Sequence, residues 1–254
     1  MKLKKNIFGK SSCNKIMPKI IPILTYHSIS SDNSKVSITI QTFEKQIKYF
    51  KENGYNSINF NQLNSNINKP IIITFDDGYK DNLINALPIL KKYDFTATIF
   101  IISNFIGKKN FWDRNQQNFS NKEHLSTADI NEWITNGMNI GSHSHNHLDL
   151  TQLNISDLSD ELIMSKKSLE NITQKKIDIF CYPFGKINKT VYQNVKNLYE
   201  KAVTTNRSRY NLLIHDTHLM PRIDMGKNYN KIKLFLKLNT IYEDIKFNKN
   251  EISM

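Results

Sequence analysis

Ile71-Ile72-Ile73-Thr74-Phe75-Asp76-Asp77-Gly78-Tyr79 decides how the rest of this chain is read. The apolar, β-branched run fits a strand buried on both faces, and it ends in two carboxylates and a glycine. Adjacent carboxylates at a strand end repel each other unless a cation or a shared proton relieves them, so the pair reads as one metal ligand beside one proton acceptor. The plainer alternative is an Asp-Gly turn that merely closes a strand. Asn139-Ile140-Gly141-Ser142-His143-Ser144-His145-Asn146-His147 favours the metal, because three of the seven histidines fall within five residues of it. Imidazole is the commonest nitrogen ligand of zinc-like ions, and His143 and His147, four apart, can reach one ion from a helical turn or a tight loop. With Asp77 they form a facial His-His-Asp set for one divalent ion: zinc first, with cobalt, nickel or manganese as alternatives. The His-Glu-x-x-His pattern of zinc proteases is excluded, since Ser144 occupies the glutamate position. The base must come from elsewhere, and Asp76 is its obvious source.

Outward from these segments, strands are expected over 20–26, 71–75, 97–102, 138–142, 177–182 and 201–205. Helices are expected over 81–93, 127–136, 157–172 and 188–199. Thr42 can cap a further helix whose stripe Phe43, Ile47, Phe50 ends at Gly54. Such alternation predicts a parallel sheet with outer helices. Both the Asp pair and the His pair fall just past the C-terminal ends of predicted strands, where a parallel barrel gathers its reactive groups. Ile232, Phe235, Leu236, Leu238, Ile241, Tyr242 and Ile245 predict one amphipathic helix. The division expected is a basic arm over 1–19, an α/β domain over 20–230, and a C-terminal helix and tail over 231–254.

A chain of 254 residues, 39% hydrophobic and 11% aromatic, suffices for one large α/β domain. Cys13 and Cys181 make neither a disulfide framework nor a Cys-x-x-Cys site. The lysine-rich N-terminus leads into polar Ser11-Ser12-Cys13-Asn14-Lys15 instead of an apolar stretch, which predicts a cytoplasmic protein, peripheral at the inner membrane at most. The net charge of +12 favours anionic partners such as phospholipid headgroups or lipid-linked sugar phosphates. Dispersed lysines from codon bias are the competing explanation. No nucleic acid is expected, for want of a recognised binding motif or a basic helix with interleaved aromatics.

Thr74-Phe75-Asp76-Asp77-Gly78, Ser142-His143-Ser144-His145-Asn146-His147 and Tyr182-Pro183-Phe184-Gly185 resemble, in order, the first three motifs of the polysaccharide deacetylases, the NodB-homology or carbohydrate esterase family 4 enzymes. Ile23-Leu24-Thr25-Tyr26-His27 and Met220-Pro221-Arg222-Ile223 are similar to segments of the branch related to poly-N-acetylglucosamine deacetylases. The resemblance implies a distorted, incomplete (β/α) barrel. It further implies a metal-dependent hydrolase that removes the N-acetyl group from a sugar of a bacterial surface glycan or lipid-linked precursor. Asp76 is then the base, and the turn Pro183, Phe184, Gly185 supplies an oxyanion donor through the Phe184 N–H. The family's third motif usually begins with an arginine that pairs with the base, but Cys181 stands there. Arg222, one of only four arginines, is the expected substitute, a surface role being the alternative. His215, in Leu213-Ile214-His215-Asp216, leads as general acid, with His218 second. His27 is either near the metal or buried in the barrel floor and stays outside the catalytic set. Asp113 beside Trp112 could contact sugar by hydrogen bonding and stacking, core packing being the alternative for Trp112. A noncatalytic carbohydrate-binding protein on the same fold, or an esterase or amidase for another small acyl group, are the alternative functions.

Overall fold

Seven strands, Ile23–Tyr26 (β1), Pro70–Phe75 (β2), Thr98–Ile101 (β3), Asn139–Ser142 (β4), Ile179–Cys181 (β5), Lys201–Arg207 (β6) and Met220–Asp224 (β7), pair in parallel in the cyclic order β1-β2-β3-β4-β5-β6-β7. Tyr26 opposite Phe75 on one side of β1 and Leu24 opposite Ile223 on the other close the ring. The computed structural model describes residues 19–32, 34–110 and 121–247. The basic arm up to residue 18, Cys13, Trp112, Asp113 and the tail from residue 248 lie outside them. The architecture is the expected (β/α) barrel, incomplete in having one strand fewer than the usual form.

Strand periodicity sorts the side chains. Ile71, Ile73 and Phe75 face outward into an apolar layer shared with the helices Ile40–Glu52 (α1), Leu87–Lys92 (α2), Thr127–Thr135 (α3), Ile155–Thr173 (α4) and Lys189–Leu198 (α5). Ile72 faces inward, where it meets Ile23, Phe100, Ile179, Cys181, Val203 and Met220. Each such buried side chain stabilises the fold by roughly 1.5–3 kcal/mol. Because alternate residues share a face, Thr74 and Asp76 continue the inner row that Ile72 begins. A carboxylate is thereby delivered to the mouth of a packed barrel.

Several boundaries differ from the sequence expectation. Pro22 splits the first strand, and Ile20–Ile21 pairs antiparallel with Tyr210–Asn211, because proline has no N–H for a ladder. Helix α1 is capped by Thr39, whose Oγ1 accepts the Thr42 N–H at 3.1 Å; Thr42 is the N3 residue, not the cap. The region read as a helix over 81–93 opens with wide π turns over Asn82–Ala86, where the Leu87 N–H bonds to Asn82 O. Pro88 provides no donor for the Ile84 carbonyl, and Asn82 Nδ2 is occupied with His27 O at 2.8 Å. The C-terminal apolar run forms two helices, Lys231–Asn239 (α6) and Tyr242–Phe247 (α7), with extended backbone at Thr240. Among the described residues no helix is long and apolar enough to cross a membrane.

Candidate active site

The two aspartates leave β2 in different directions. Asp76 keeps strand geometry, donating its N–H to Tyr26 O at 2.9 Å. Asp77 and Gly78 both turn into the left-handed region, φ 70° and 78°, which swings the Asp77 carboxylate towards the loop after β4. There His143 Nε2 and His147 Nε2 stand 3.5 and 3.6 Å from Asp77 Oδ1. The loop needs two further left-handed residues, Ser144 (φ 62°) and His147 (φ 58°), and the Ser144 Oγ accepts the His147 N–H at 3.1 Å.

These three side chains are buried, and their ligand atoms lie within 4.8 Å of one another. His143 Nδ1 lies 2.8 Å from the Cys181 carbonyl. A carbonyl only accepts, so Nδ1 carries a proton and Nε2 is the nitrogen that faces the cluster. Burial lowers the His147 ring to about 3, with the positive His143 adding to the effect, so it is neutral and able to ligate. Burial alone would raise Asp77; the hydrogen bond from His143 and the nearby charges of His27 and His143 outweigh it and hold the carboxyl well below its ordinary range. His143 is raised against the opposing effect of burial, by Cys181 and by Asp77. The positive charge this carboxylate draws to itself can therefore be a proton on His143 or a metal cation in its place. Two neutral-capable imidazoles and one carboxylate suit zinc-like ions. Asp76, His143 and Cys181 also cluster, but the Cys181 Sγ accepts from Arg222 Nη2 at 3.2 Å, and a cation there would face the guanidinium.

Arg222 rises inside the barrel from β7 and is only 2% exposed. Its Nη1 and Nη2 donate to Asp76 Oδ1 and Oδ2 at 2.7 and 2.8 Å. The remaining N–H groups reach Thr74 Oγ1 at 3.1 Å, Thr204 O at 2.9 Å and the Cys181 Sγ. All five donors are thus satisfied, as a buried guanidinium requires. Burial pushes the Asp76 carboxyl up, Arg222 pulls it down more strongly, and the net result lies below the usual range.

Pro183–Gly185 forms a tight turn after β5, with Phe184 at φ 57° and Gly185 at φ 69°. A Cβ on Gly185 would stand 1.8 Å from Thr205 Oγ1, so only glycine fits. The Phe184 ring packs on His147 at 4.5 Å between centroids while remaining 51% exposed.

Asp76, Asp77, His143, His147, Arg222 and the Pro183–Gly185 turn therefore converge at one mouth. His215 does not. It belongs to the connection between β6 and β7, whose Thr217 carbonyl bonds to Ala202 at the start of β6, at the end of the barrel opposite the Asp pair. Its Nδ1 accepts the Asn211 N–H at 3.0 Å. His218 is buried there too, with Nε2 3.0 Å from Tyr199 O. The expectation that either histidine supplies the acid is corrected by this topology. His27 lies instead at the mouth, its Nε2 3.8 Å from Asp76 Oδ2 and its side chain 34% exposed. Its signal in the sequence was the polar residue ending the β1 run: parallel β1 and β2 in register at Tyr26 and Phe75 put their next residues, His27 and Asp76, side by side.

The family model for polysaccharide deacetylase matches residues 64–203, more than half of the chain. YxkH of Bacillus subtilis, which carries a polysaccharide deacetylase name, is 36% identical over 196 residues, 74% of this chain and 65% of YxkH. The chain thus spans just under two thirds of that relative. A Staphylococcus aureus poly-beta-1,6-N-acetyl-D-glucosamine N-deacetylase is 28% identical over 228 residues, 78% of this chain and 76% of that protein. The structure of the Streptococcus pyogenes deacetylase PplD in complex with acetate superposes with a TM-score of 0.77 at 27% identity, covering 87% of this chain and 99% of that one. On the strength of these matches, and of a barrel that gathers the Asp and His motifs at one mouth, the chain belongs to the polysaccharide deacetylase family.

Proposed function

We propose that the protein is a divalent-metal-dependent N-deacetylase acting on N-acetylglucosamine residues of a surface glycan or its lipid-linked precursor. The observation that carries this reading is a buried carboxylate, Asp76, held in two hydrogen bonds by Arg222 beside a separate three-donor set, Asp77, His143 and His147. The name of the S. aureus relative supports the sugar.

A divalent ion, zinc by preference, would be held by Asp77, His143 and His147 and would supply Lewis acidity towards the acetamide carbonyl and acidify water. Asp76 then removes the proton from the attacking water. Arg222 keeps that carboxylate ionised and aimed, so the proton has one destination. The Phe184 N–H, presented by the left-handed turn, donates to the oxyanion that develops on the carbonyl oxygen. His27 delivers a proton to the departing amine nitrogen, since it is the histidine nearest the base and is open to solvent on one side. The products are acetate and a free amino sugar.

The test is incubation of the zinc-loaded protein with β-1,6-linked N-acetylglucosamine oligomers and, in parallel, with O-acetylated sugars. Free amine appearing in step with acetate, and disappearing in a His143→Ala protein that no longer holds zinc, is the expected result. Acetate released from O-acetyl sugars alone would make the protein an esterase; none from either would leave a binding protein. The +12 charge further favours a phosphate-bearing lipid carrier at the inner membrane face, each favourably placed lysine contributing about 1 kcal/mol near anionic lipid. Sedimentation with anionic but not neutral vesicles, fading as salt rises, is the check on that location, and equal partitioning would remove it.

A further inference from the structure

We propose that Glu161 is a positioning residue that sets the metal affinity of the site by holding the loop between its two histidine ligands; this rests on the metal-centre reading above. Only Ser144, His145 and Asn146 separate His143 from His147, and two of the residues in this turn adopt left-handed backbone without being glycine. Such a conformation persists only where the surroundings over-determine it. Glu161, on the second turn of α4 and only 5% exposed, provides that constraint. Its Oε2 accepts the N–H groups of His145 and Asn146 at 3.0 and 2.9 Å, and its Oε1 accepts from the Asn146 side chain.

The opposite edge of the loop is held by the short 3-10 turn Ser103–Phe105 that follows β3. Ser103 N donates to Ser144 O at 3.2 Å and Asn104 N to His145 O at 3.0 Å. Side-chain polarity then runs one way. Lys108 Nζ donates to Asn104 Oδ1 at 2.9 Å, which turns Asn104 Nδ2 towards Asn146 Oδ1 at 2.6 Å and leaves Asn146 Nδ2 facing Glu161. Every group that reaches position 161 from the loop is a donor, so two acceptor oxygens are required. A glutamine can still accept the two backbone N–H groups, but its own NH2 then meets the Asn146 NH2.

The experiment measures zinc affinity by chelator competition, and the absorption bands of the cobalt-loaded protein, for wild type, Glu161→Ala, Glu161→Gln, Asn146→Ala and His143→Ala, with circular dichroism to establish folding. Removing a group that orients ligands typically weakens metal binding by roughly 10–100-fold; that loss, with altered cobalt bands, is expected for Glu161→Ala, and a smaller one for Glu161→Gln. Wild-type zinc affinity and unchanged bands in folded Glu161→Ala overturn the inference. If that variant does not fold, Asn146→Ala, which keeps the two backbone bonds, decides: weaker zinc binding supports the inference and wild-type binding overturns it. Full zinc binding by His143→Ala would overturn the metal-centre reading itself, an outcome distinct from failure at Glu161.

Discussion

Arg222 and Asp76, 146 residues apart in sequence, meet inside the barrel in a two-point hydrogen-bonded pair at 2.7 and 2.8 Å. In the family's usual third motif the arginine would stand where Cys181 is. Here the guanidinium reaches the same carboxylate from β7, and the Cys181 sulfur accepts one of its N–H groups. A lysine at 222 cannot reproduce the planar fork. Loss of one charge-assisted hydrogen bond is worth about 1.5–3 kcal/mol, so Arg222→Lys should lower kcat roughly ten- to hundredfold while zinc affinity stays near wild type. Wild-type kinetics would show that the pair is dispensable for turnover.

Asp76→Asn should retain about one equivalent of zinc, because the three proposed ligands are untouched, yet lose turnover by roughly 10²–10⁴-fold, since an amide accepts no proton from water. Metal content by elemental analysis and acetate release together check this. Activity within a few-fold of wild type would move the base to another residue.

His27→Gln should lower kcat on N-acetyl sugars by about 10²–10⁴-fold with little change in KM. A nitroanilide substrate, whose leaving group departs with less need of a proton, should be affected much less. Equal losses on both substrates would mean that His27 does not serve as the proton donor.

Gly185→Ala forces a Cβ into left-handed backbone and to 1.8 Å from Thr205 Oγ1. The cost is of order 1–3 kcal/mol, and Tm should fall by about 2–4 °C for each of these. Because the same turn carries Phe184 against His147, acetate release should fall as well. An unchanged melting curve would show that the turn has room the geometry denies it.

What the sequence determined by itself is local. Alternation of short apolar runs with helical stripes set a parallel sheet with outer helices, and the resemblance of the motifs implied that it closes as a barrel. Asp76, Asp77, His143 and His147 were recognisable because they lie at or within a few residues of a strand end and carry chemistry that a strand end does not need. The residues that only the tertiary structure decided are those whose partners come from elsewhere in the barrel. Arg222 could be a surface side chain until the inward row Ile72, Thr74, Asp76 and the inward face of β7 are closed into one interior. His215 and His218 looked eligible for proton transfer because residue spacing does not say to which end of a barrel a connection returns; the β6–β7 connection returns to the far end. His27 became a neighbour of Asp76 through strand register, and Glu161 gave no local signal, being one carboxylate on a long helix. Short-range patterns set which residues face inward, but the pairing of distant strands and helices decides which of those inward groups touch.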